Sequence, residues 1–414
     1  MPPQLISVFG LVVFVALAWA CSLNRKKFPW RTVASGLALQ LIFGWLILKT
    51  STGKAFFNSF QEFVTRLLSF ANEGARMVFG PLANGPLLAE KWGPENAFIF
   101  VVTVTATIIL VSALSSMLYH FGILQVIVRA TAWVMQKVMR TSGSESLAAA
   151  ANIFMGQTEA PLVVKPYLPH MTRSELMALM TGGMATIAGG VLAAYVSFGI
   201  SAGHLLTASV MSAPAALLIA KILVPETEQS ETTAGATAKV PRETVNGIDA
   251  LCRGASDGMH LAINVMAMLI AFVAVIYMAN WLIALLLQPF GIQQEKPLQL
   301  FLGYMNAPFA WFMGVPAQDC IPVGQALGER IVLNEFLGYL SLTEMKSTIE
   351  PRSFTLAAYA LCGFANFASI AIQIGGIGAL APSRRSDLAK LGLRAMIGGI
   401  LASYLTATIA GILI

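Results

Sequence analysis

The chain has 414 residues, of which 57% are hydrophobic and only 11% are charged, and its formal net charge is +6. Soluble domains average about 25% charged residues, so this composition excludes a soluble globular protein and indicates an integral membrane protein. The basic residues cluster in short segments between apolar runs, as membrane topology requires, so the net charge predicts no nucleic-acid partner.

Eight apolar segments are long enough to be spanning helices, since a helix needs about 20 residues to cross a bilayer. In chain order they cover residues 5–22, 33–49, 97–119, 174–199, 203–224, 258–288, 355–380 and 394–414. The first positive residues, Arg25, Lys26 and Lys27, follow the first apolar segment, so we interpret that segment as a spanning helix and not as a signal peptide.

Four connections carry most of the basic residues and are therefore predicted to be cytoplasmic. They are residues 24–31, 120–173, 225–257 and 381–393. This alternation places both termini outside the cytoplasm. Residues 225–248 are polar and rich in Thr, Glu and Ala, which predicts a flexible linker between two halves of the protein.

Other segments do not have the pattern of a simple span. Residues 55–80 and 122–140 place apolar side chains at helical spacing with charges between them, which predicts helices lying in the membrane interface. Residues 144–168 and 316–345 are apolar but contain polar residues near their middles, at 156–159 (GQTE) and 334–335. We predict two re-entrant hairpins, the first opening inward and the second outward.

Each predicted hairpin is followed by two spanning helices, and the two units begin on opposite faces of the membrane. An inverted repeat with interrupted helices at the midplane is typical of a secondary transporter. Paired glycines in helix 174–199 and the CGFANFASI motif in helix 355–380 indicate unwound stretches in these two helices.

Polar residues at membrane depth concentrate in these two units. They are Asn152, Gln157, Thr158, Glu159, Thr186, Asn334, Glu335, Asn366 and Ser369, with Phe364 beside them. A carboxylate at this depth costs at least about 2.5–3.5 kcal/mol, so Glu159 and Glu335 indicate a polar binding site. With no arginine predicted at depth, a neutral heterocyclic solute rich in hydroxyls fits these groups better than an anion or a lipid.

An enzyme is a weaker interpretation, because the HExxH motif is absent and no histidine accompanies a serine at depth. A channel remains an alternative. Channels typically show repeated filter loops or rings of charge, whereas the two hairpin sequences differ from each other.

Four motifs together resemble the concentrative nucleoside transporter family, in its bacterial form. They are GQTEAPLVVKPYL, MATIAGGVLAAY, NEFLGYL and CGFANFASIAIQIGG, and the resemblance covers the chain from about residue 95 onward. It implies an all-α integral membrane protein with eight transmembrane helices, two opposed re-entrant hairpins, interfacial helices and an inverted repeat. It also implies an elevator-type mechanism and a homotrimer in the lipid bilayer of the bacterial inner membrane.

The resemblance also implies a division of the chain into scaffold and transport parts. Residues 1–140 and 258–315 would form the scaffold, and residues 141–225 and 316–414 the two transport repeats. Residues 226–257 would be the cytoplasmic linker.

Individual roles follow from the same resemblance. The nucleoside base would contact Gln157, Thr158, Glu159 and Val191. The ribose would contact Glu335, Asn366 and Ser369, with Phe364 packing against the nucleoside. A sodium site maps to Asn152, Met155, Thr186 and Ile187, where Met155 and Ile187 would contribute backbone carbonyls. The resemblance thus predicts import of uridine-like nucleosides coupled to sodium, with no other cofactor. Some family members use protons instead, so proton coupling remains an alternative.

Overall fold

The protein, in a computed structural model, is described over residues 2–93, 97–233, 244–290 and 294–414. This part of the chain consists of helices and connecting turns without a β-strand, which confirms the predicted all-α class. The first six helices are α1 (Pro3–Ala20), α2 (Trp30–Lys49), α3 (Ser51–Phe79), α4 (Gly85–Trp92), α5 (Phe100–His120) and α6 (Ile123–Met139).

Helices α1, α2 and α5 match the first three predicted spans, and α3 and α6 match the two predicted amphipathic helices. No sequence pattern predicts α4. It has only eight residues, too few for a periodic pattern, and it begins where the side chain of Asn84 accepts a hydrogen bond from the Leu87 N–H.

The first repeat contains the predicted hairpin and a broken helix. Its elements are α7 (Gly143–Asn152), α8 (Ala160–Val163), α9 (Arg173–Ala185), α10 (Gly189–Ser197) and α11 (Ala202–Leu223). The hairpin turns between α7 and α8, at the GQTE motif. The predicted helix 174–199 is interrupted at residues 186–188, as its glycine pairs indicate.

The next helix, α12 (Gly247–Leu287), is 41 residues long and starts well before the predicted residue 258. The assignment of residues 226–257 to a linker is therefore wrong for residues 247–257. Residues 247–257 are more polar than the span that follows, and they extend the apolar spanning helix by about three turns at its N-terminal end. The Asn246 side chain caps this extension by accepting a hydrogen bond from the Asp249 N–H at 2.9 Å. Residues 234–243 of the predicted linker lie outside the described residues.

The second repeat has the same order of elements as the first. It contains α14 (Cys320–Val332), α15 (Glu335–Glu344), α16 (Pro351–Leu361), α17 (Phe367–Leu380) and α18 (Arg385–Leu413), and it is preceded by α13 (Pro297–Phe312), which falls in the predicted scaffold segment 258–315. Helices α14 and α15 form the second hairpin. The last helix begins at Arg385, earlier than the predicted residue 394.

Seven helices of the described part are long and apolar enough to cross a membrane, when α9 and α10 are counted together. The one remaining predicted span, residues 355–380, consists of the two shorter helices α16 and α17. The break between them explains why neither reaches spanning length.

The connections predicted to be cytoplasmic contact one another at one end of the molecule. The Leu23 N–H donates to the Leu223 carbonyl at 2.9 Å, and the Gly143 N–H donates to the Thr232 carbonyl at 2.9 Å. The guanidinium of Arg384 donates to the Met171 carbonyl. The base of the first hairpin therefore lies at this end, together with the basic segments.

The base of the second hairpin lies at the other end, beside both termini. There the Glu350 N–H donates to the Asp319 carboxylate at 2.9 Å, and Arg352 donates to the Gly411 carbonyl at 2.6 Å. The Ser7 hydroxyl donates to the Met313 carbonyl at 2.9 Å. The two hairpins thus enter from opposite ends, as predicted, and their tips meet in the middle.

Candidate functional site

A cavity of about 1140 Å³ lies between the two hairpin tips and helix α12. All eight residues predicted to contact substrate line it, namely Gln157, Thr158, Glu159, Val191, Glu335, Phe364, Asn366 and Ser369. Asp257, His260 and Asn264 of α12 form part of its wall. The structure therefore brings together residues that are about 180 positions apart in sequence.

Glu335 is a firmly held carboxylate at the start of α15. The Tyr195 hydroxyl donates to Oε1 at 3.1 Å, and the Asn366 amide donates to Oε2 at 3.1 Å. The position at a helix N-terminus favours negative charge. Because an ionised carboxylate has about four acceptor positions, about two remain for donors from a ligand. A pair of adjacent hydroxyl groups matches this arrangement.

Asn366 serves both the broken helix and the site. Its Oδ1 accepts from the Ser369 N–H at 2.9 Å and caps α17, so its amide nitrogen is directed at Glu335. Gly363, in the same break, has φ +155°, and a Cβ there would lie 2.6 Å from the Met184 carbonyl oxygen. Position 363 thus requires a glycine, because the two interrupted helices approach each other closely there.

The tip of the first hairpin is hydrogen-bonded to α17. The Gln157 Nε2 donates to the Ser369 hydroxyl at 3.0 Å, and its Oε1 accepts from the Gln373 Nε2 at 3.1 Å. Glu159 accepts from the Gly156 N–H at 3.2 Å, and Thr158 and Glu159 are exposed to the cavity. Their polar atoms can therefore reach a ligand.

Two polar residues that were not predicted to belong to the site, Gln373 and Tyr195, hydrogen-bond to these side chains. Gln373 follows Ser369 by four positions, so both lie on the same face of α17. That spacing could have identified it. Tyr195 carries no comparable signal, because a tyrosine in an apolar helix is usually a packing residue.

The residues of the predicted sodium site lie at two helix ends. Helix α7 ends at Asn152 and α9 ends at Ala185, and C-terminal helix ends carry unpaired carbonyls with partial negative charge. Asn152 is 1% exposed, and neither polar atom of its side chain has a hydrogen-bond partner among the described residues. A Cβ at Gly182 would lie 2.7 Å from its Nδ2, so the Asn152 amide lies directly against α9.

The remaining three residues of this set are also buried. The Thr186 hydroxyl donates to the Gly182 carbonyl at 2.9 Å, which leaves its oxygen free to accept or to coordinate. Met155 follows the end of α7 and Ile187 follows the end of α9, and both are buried. An amide oxygen, a hydroxyl and freed carbonyls are neutral oxygen donors, which fit a monovalent cation.

The prediction that no arginine lies at membrane depth is wrong. Arg330 of α14 is completely buried, donates to the Ala360 carbonyl, and its guanidinium carbon lies 5.5 Å from the centre of the Tyr404 ring. It packs inside the second repeat and is not among the residues that line the cavity. The preference for a neutral solute therefore still applies to the cavity itself.

Opposed hairpins whose tips meet at a polar cavity beside two interrupted helices define a secondary membrane transporter. Comparison with known proteins agrees. Residues 204–411 match the family model described as the C-terminus of Na+ dependent nucleoside transporters, and residues 9–82 match the corresponding N-terminal model. Residues 101–202 match a model described as nucleoside recognition. The chain belongs to the Na+ dependent nucleoside transporter family.

Relatives and solved structures are similar along almost the whole chain. The chain is 42% identical to the uncharacterized transporter YutK of Bacillus subtilis, over 98% of both proteins. It is 39% identical to the human sodium/nucleoside cotransporter 1, over 100% of this chain and 64% of that protein. The structure of CNTnw in an inward-facing substrate-bound state has a TM-score of 0.93 and 38% identity, and covers 99% of this chain and 97% of that one.

These findings confirm the family predicted from the four motifs and the opposed-hairpin architecture. They also confirm that the protein is a transporter and not an enzyme, since the family and its structural neighbours are transporters. The assignment of individual residues to base, ribose and sodium stays a prediction.

Proposed function

We propose that the protein imports uridine-like nucleosides by symport with sodium. The observation that carries this proposal is the cavity where Gln157 and Glu335 meet from opposite hairpins. An amide there suits the edge of a base, and a carboxylate with free acceptor positions suits the hydroxyl pair of a ribose. Phe364 and Val191 supply the apolar surface against which a base and sugar pack.

Sodium would bind beside this cavity, at the ends of α7 and α9. Asn152 brings a buried amide without a partner among the described residues, and Met155 lines the substrate cavity as well. An ion held there would stabilise the hairpin tip that carries Gln157, Thr158 and Glu159. Sodium would therefore favour the arrangement that binds substrate, which is the requirement for coupling.

One sodium ion provides enough free energy for accumulation. Its entry across 100 mV contributes about 2.3 kcal/mol. A tenfold sodium gradient adds about 1.4 kcal/mol, and together they support roughly 500-fold accumulation of a neutral solute.

The transport cycle would be an elevator movement of the two repeats against the scaffold. The cavity extends to Lys165 and Arg253, at the end that carries the basic connections, which supports an inward-facing arrangement. Structures of the related CNTnw are recorded in inward-facing, intermediate and outward-facing states. The exposed apolar side chains of α12, such as Tyr277 and Trp281, need lipid or a partner subunit. We place the protein as a homotrimer in the bacterial inner membrane, with both termini periplasmic.

The test is uptake of labelled uridine into proteoliposomes, with sodium, potassium and proton gradients imposed separately and protein-free liposomes as control. We expect accumulation above equilibrium with a sodium gradient alone. Accumulation with a proton gradient alone would replace sodium by protons as the coupling ion. Uptake that never exceeds equilibrium would indicate a channel, and absence of nucleoside uptake would overturn the proposal.

A further inference from the structure

Gln373 of α17 is a buried amide that lies between the first hairpin tip and helix α9. It is 1% exposed. Its Nε2 donates to the Met180 carbonyl at 3.1 Å and to the Gln157 Oε1 at 3.1 Å. Gln373 is not among the residues that line the cavity, so any effect it has on substrate must pass through a neighbour.

The Met180 carbonyl determines which way this amide points. A backbone carbonyl can only accept a hydrogen bond, so Gln373 must present its NH₂ group to α9. With the amide reversed, the Gln373 oxygen would face the carbonyl oxygen of Met180. In the observed orientation the Gln373 Oε1 has no partner among the described residues, yet both N–H groups are used.

The orientation of Gln373 in turn determines the orientation of Gln157. Because Gln373 directs an N–H at Gln157, the Gln157 oxygen must face it. The Gln157 NH₂ group is then directed away from Gln373, and one of its N–H groups donates to the Ser369 hydroxyl at 3.0 Å. The other N–H remains available to a ligand, so Gln157 meets the cavity as a donor.

A glycine makes room for this pair of amides. A Cβ at Gly183 would lie 2.8 Å from the Gln373 Nε2 and 3.0 Å from the Gln157 Cβ. A side chain at position 183 would therefore push the two amides apart.

We propose that Gln373 is a positioning residue that determines base selectivity. It holds Gln157 with an N–H toward the cavity, so the site selects a base that presents a carbonyl oxygen there. A base that presents an amino group at the same place meets a second donor and binds more weakly. This inference rests on the proposed function, since it requires Gln157 to contact the base.

The test is the variant Gln373→Met, which keeps an unbranched side chain but removes both donors. Uridine and cytidine differ by a carbonyl against an amino group, and so do inosine and adenosine. Released from Gln373, the Gln157 amide can rotate and accept. We expect the inhibition constants of one of these pairs to shift by about fivefold toward the amino member, on the order of one neutral hydrogen bond. The sodium dependence of uridine uptake should stay as in the unmodified protein.

Three further variants separate positioning from a general loss of structure. Ile374→Met, the next residue of α17, should leave the ratio unchanged. Gly183→Ala should shift the ratio in the same direction as Gln373→Met, and it supplies the readout if the latter does not fold. In a Gln157→Ala background, Gln373→Met should have no further effect on the ratio.

An unchanged ratio in both Gln373→Met and Gly183→Ala would overturn the inference while leaving the proposed function intact. A shift that persists in the Gln157→Ala background would overturn it as well, because Gln373 would then act by another route. Absence of sodium-driven nucleoside uptake by the unmodified protein would overturn the proposed function, and this inference with it.

Discussion

Glu335→Gln is the most informative single change to the candidate site, because it removes a charge and keeps the shape of the side chain. The amide oxygen can still accept from the Asn366 amide, and the new NH₂ group can donate to the Tyr195 hydroxyl. Both hydrogen bonds of the carboxylate, each 3.1 Å long, therefore have replacements. The fold should be retained, and the loss should fall on whatever binds in the cavity.

The expected loss of substrate affinity follows from the number of hydrogen-bond acceptor positions on the side chain of residue 335. The carboxylate has about two positions left for a ligand after its bonds to Tyr195 and Asn366, whereas the amide has about one, on its oxygen. A hydrogen bond to a charged group contributes about 1.5–3 kcal/mol. Loss of one such bond lowers affinity by about 10- to 150-fold. We expect the dissociation constant for uridine to rise by that factor.

The measurement is isothermal titration calorimetry of the purified protein in sodium, together with uptake in proteoliposomes. Glu344→Gln makes the same chemical change at the exposed end of the same helix and is the matched control. Both variants should elute from size exclusion as the unmodified protein does. Uridine binding by Glu335→Gln within a factor of two of the control would refute the assignment of this carboxylate to the ligand.

The remaining predictions concern the other acid, the ion site and a buried ion pair. Glu159→Gln should reduce uridine uptake by about tenfold or more, since it removes a charged acceptor, and uptake at the unmodified rate would contradict this. Asn152→Ala should raise the half-maximal sodium concentration by at least about tenfold, and an unchanged value would move the ion elsewhere. Lys221→Met leaves Glu145 buried without its partner at 2.6 Å, which should cost about 3–5 kcal/mol of stability. The melting temperature should fall, and Glu145→Gln in the same chain should restore it. Equal melting temperatures would show that the pair is not buried in the membrane-embedded protein.

The sequence predicts well those features in which burying a polar residue in the membrane costs free energy. Glu159 and Glu335 interrupt apolar segments, and a carboxylate at membrane depth is unfavourable unless it has a binding partner. Both hairpins and their tips could therefore be located from the sequence. The break at residues 186–188 and the one before Phe367 are visible for a related reason. Glycine pairs flank the first break, and at the second the Asn366 side chain caps α17 and replaces a backbone hydrogen bond that a continuous helix would have made.

The features that sequence misses are those where local pattern and three-dimensional contact differ. Helix α12 continues past its apolar part, since a helix that leaves the membrane no longer needs apolar residues. The burial of Arg330 is not predicted, because other polar residues lie near it in the hairpin sequence. In the structure Arg330 packs against Tyr404 and is completely buried. The role of Gln373 is apparent only from its contacts in the structure with α9 and with the tip of the first hairpin.

The same groups that would bind the substrate also make hydrogen bonds between the two repeats. Gln157 of the first repeat is bound to Ser369 and Gln373 of the second, and Glu335 of the second is bound to Tyr195 of the first. A ligand that hydrogen-bonds to Gln157 and Glu335 therefore acts on contacts that cross between the repeats. A ligand shifts the equilibrium between two protein conformations only if it binds one of them more tightly than the other. Because bound substrate would contact the residues that hydrogen-bond across the repeats, its binding can change how the two repeats contact each other. An apolar pocket of the same volume would bind a solute without that consequence.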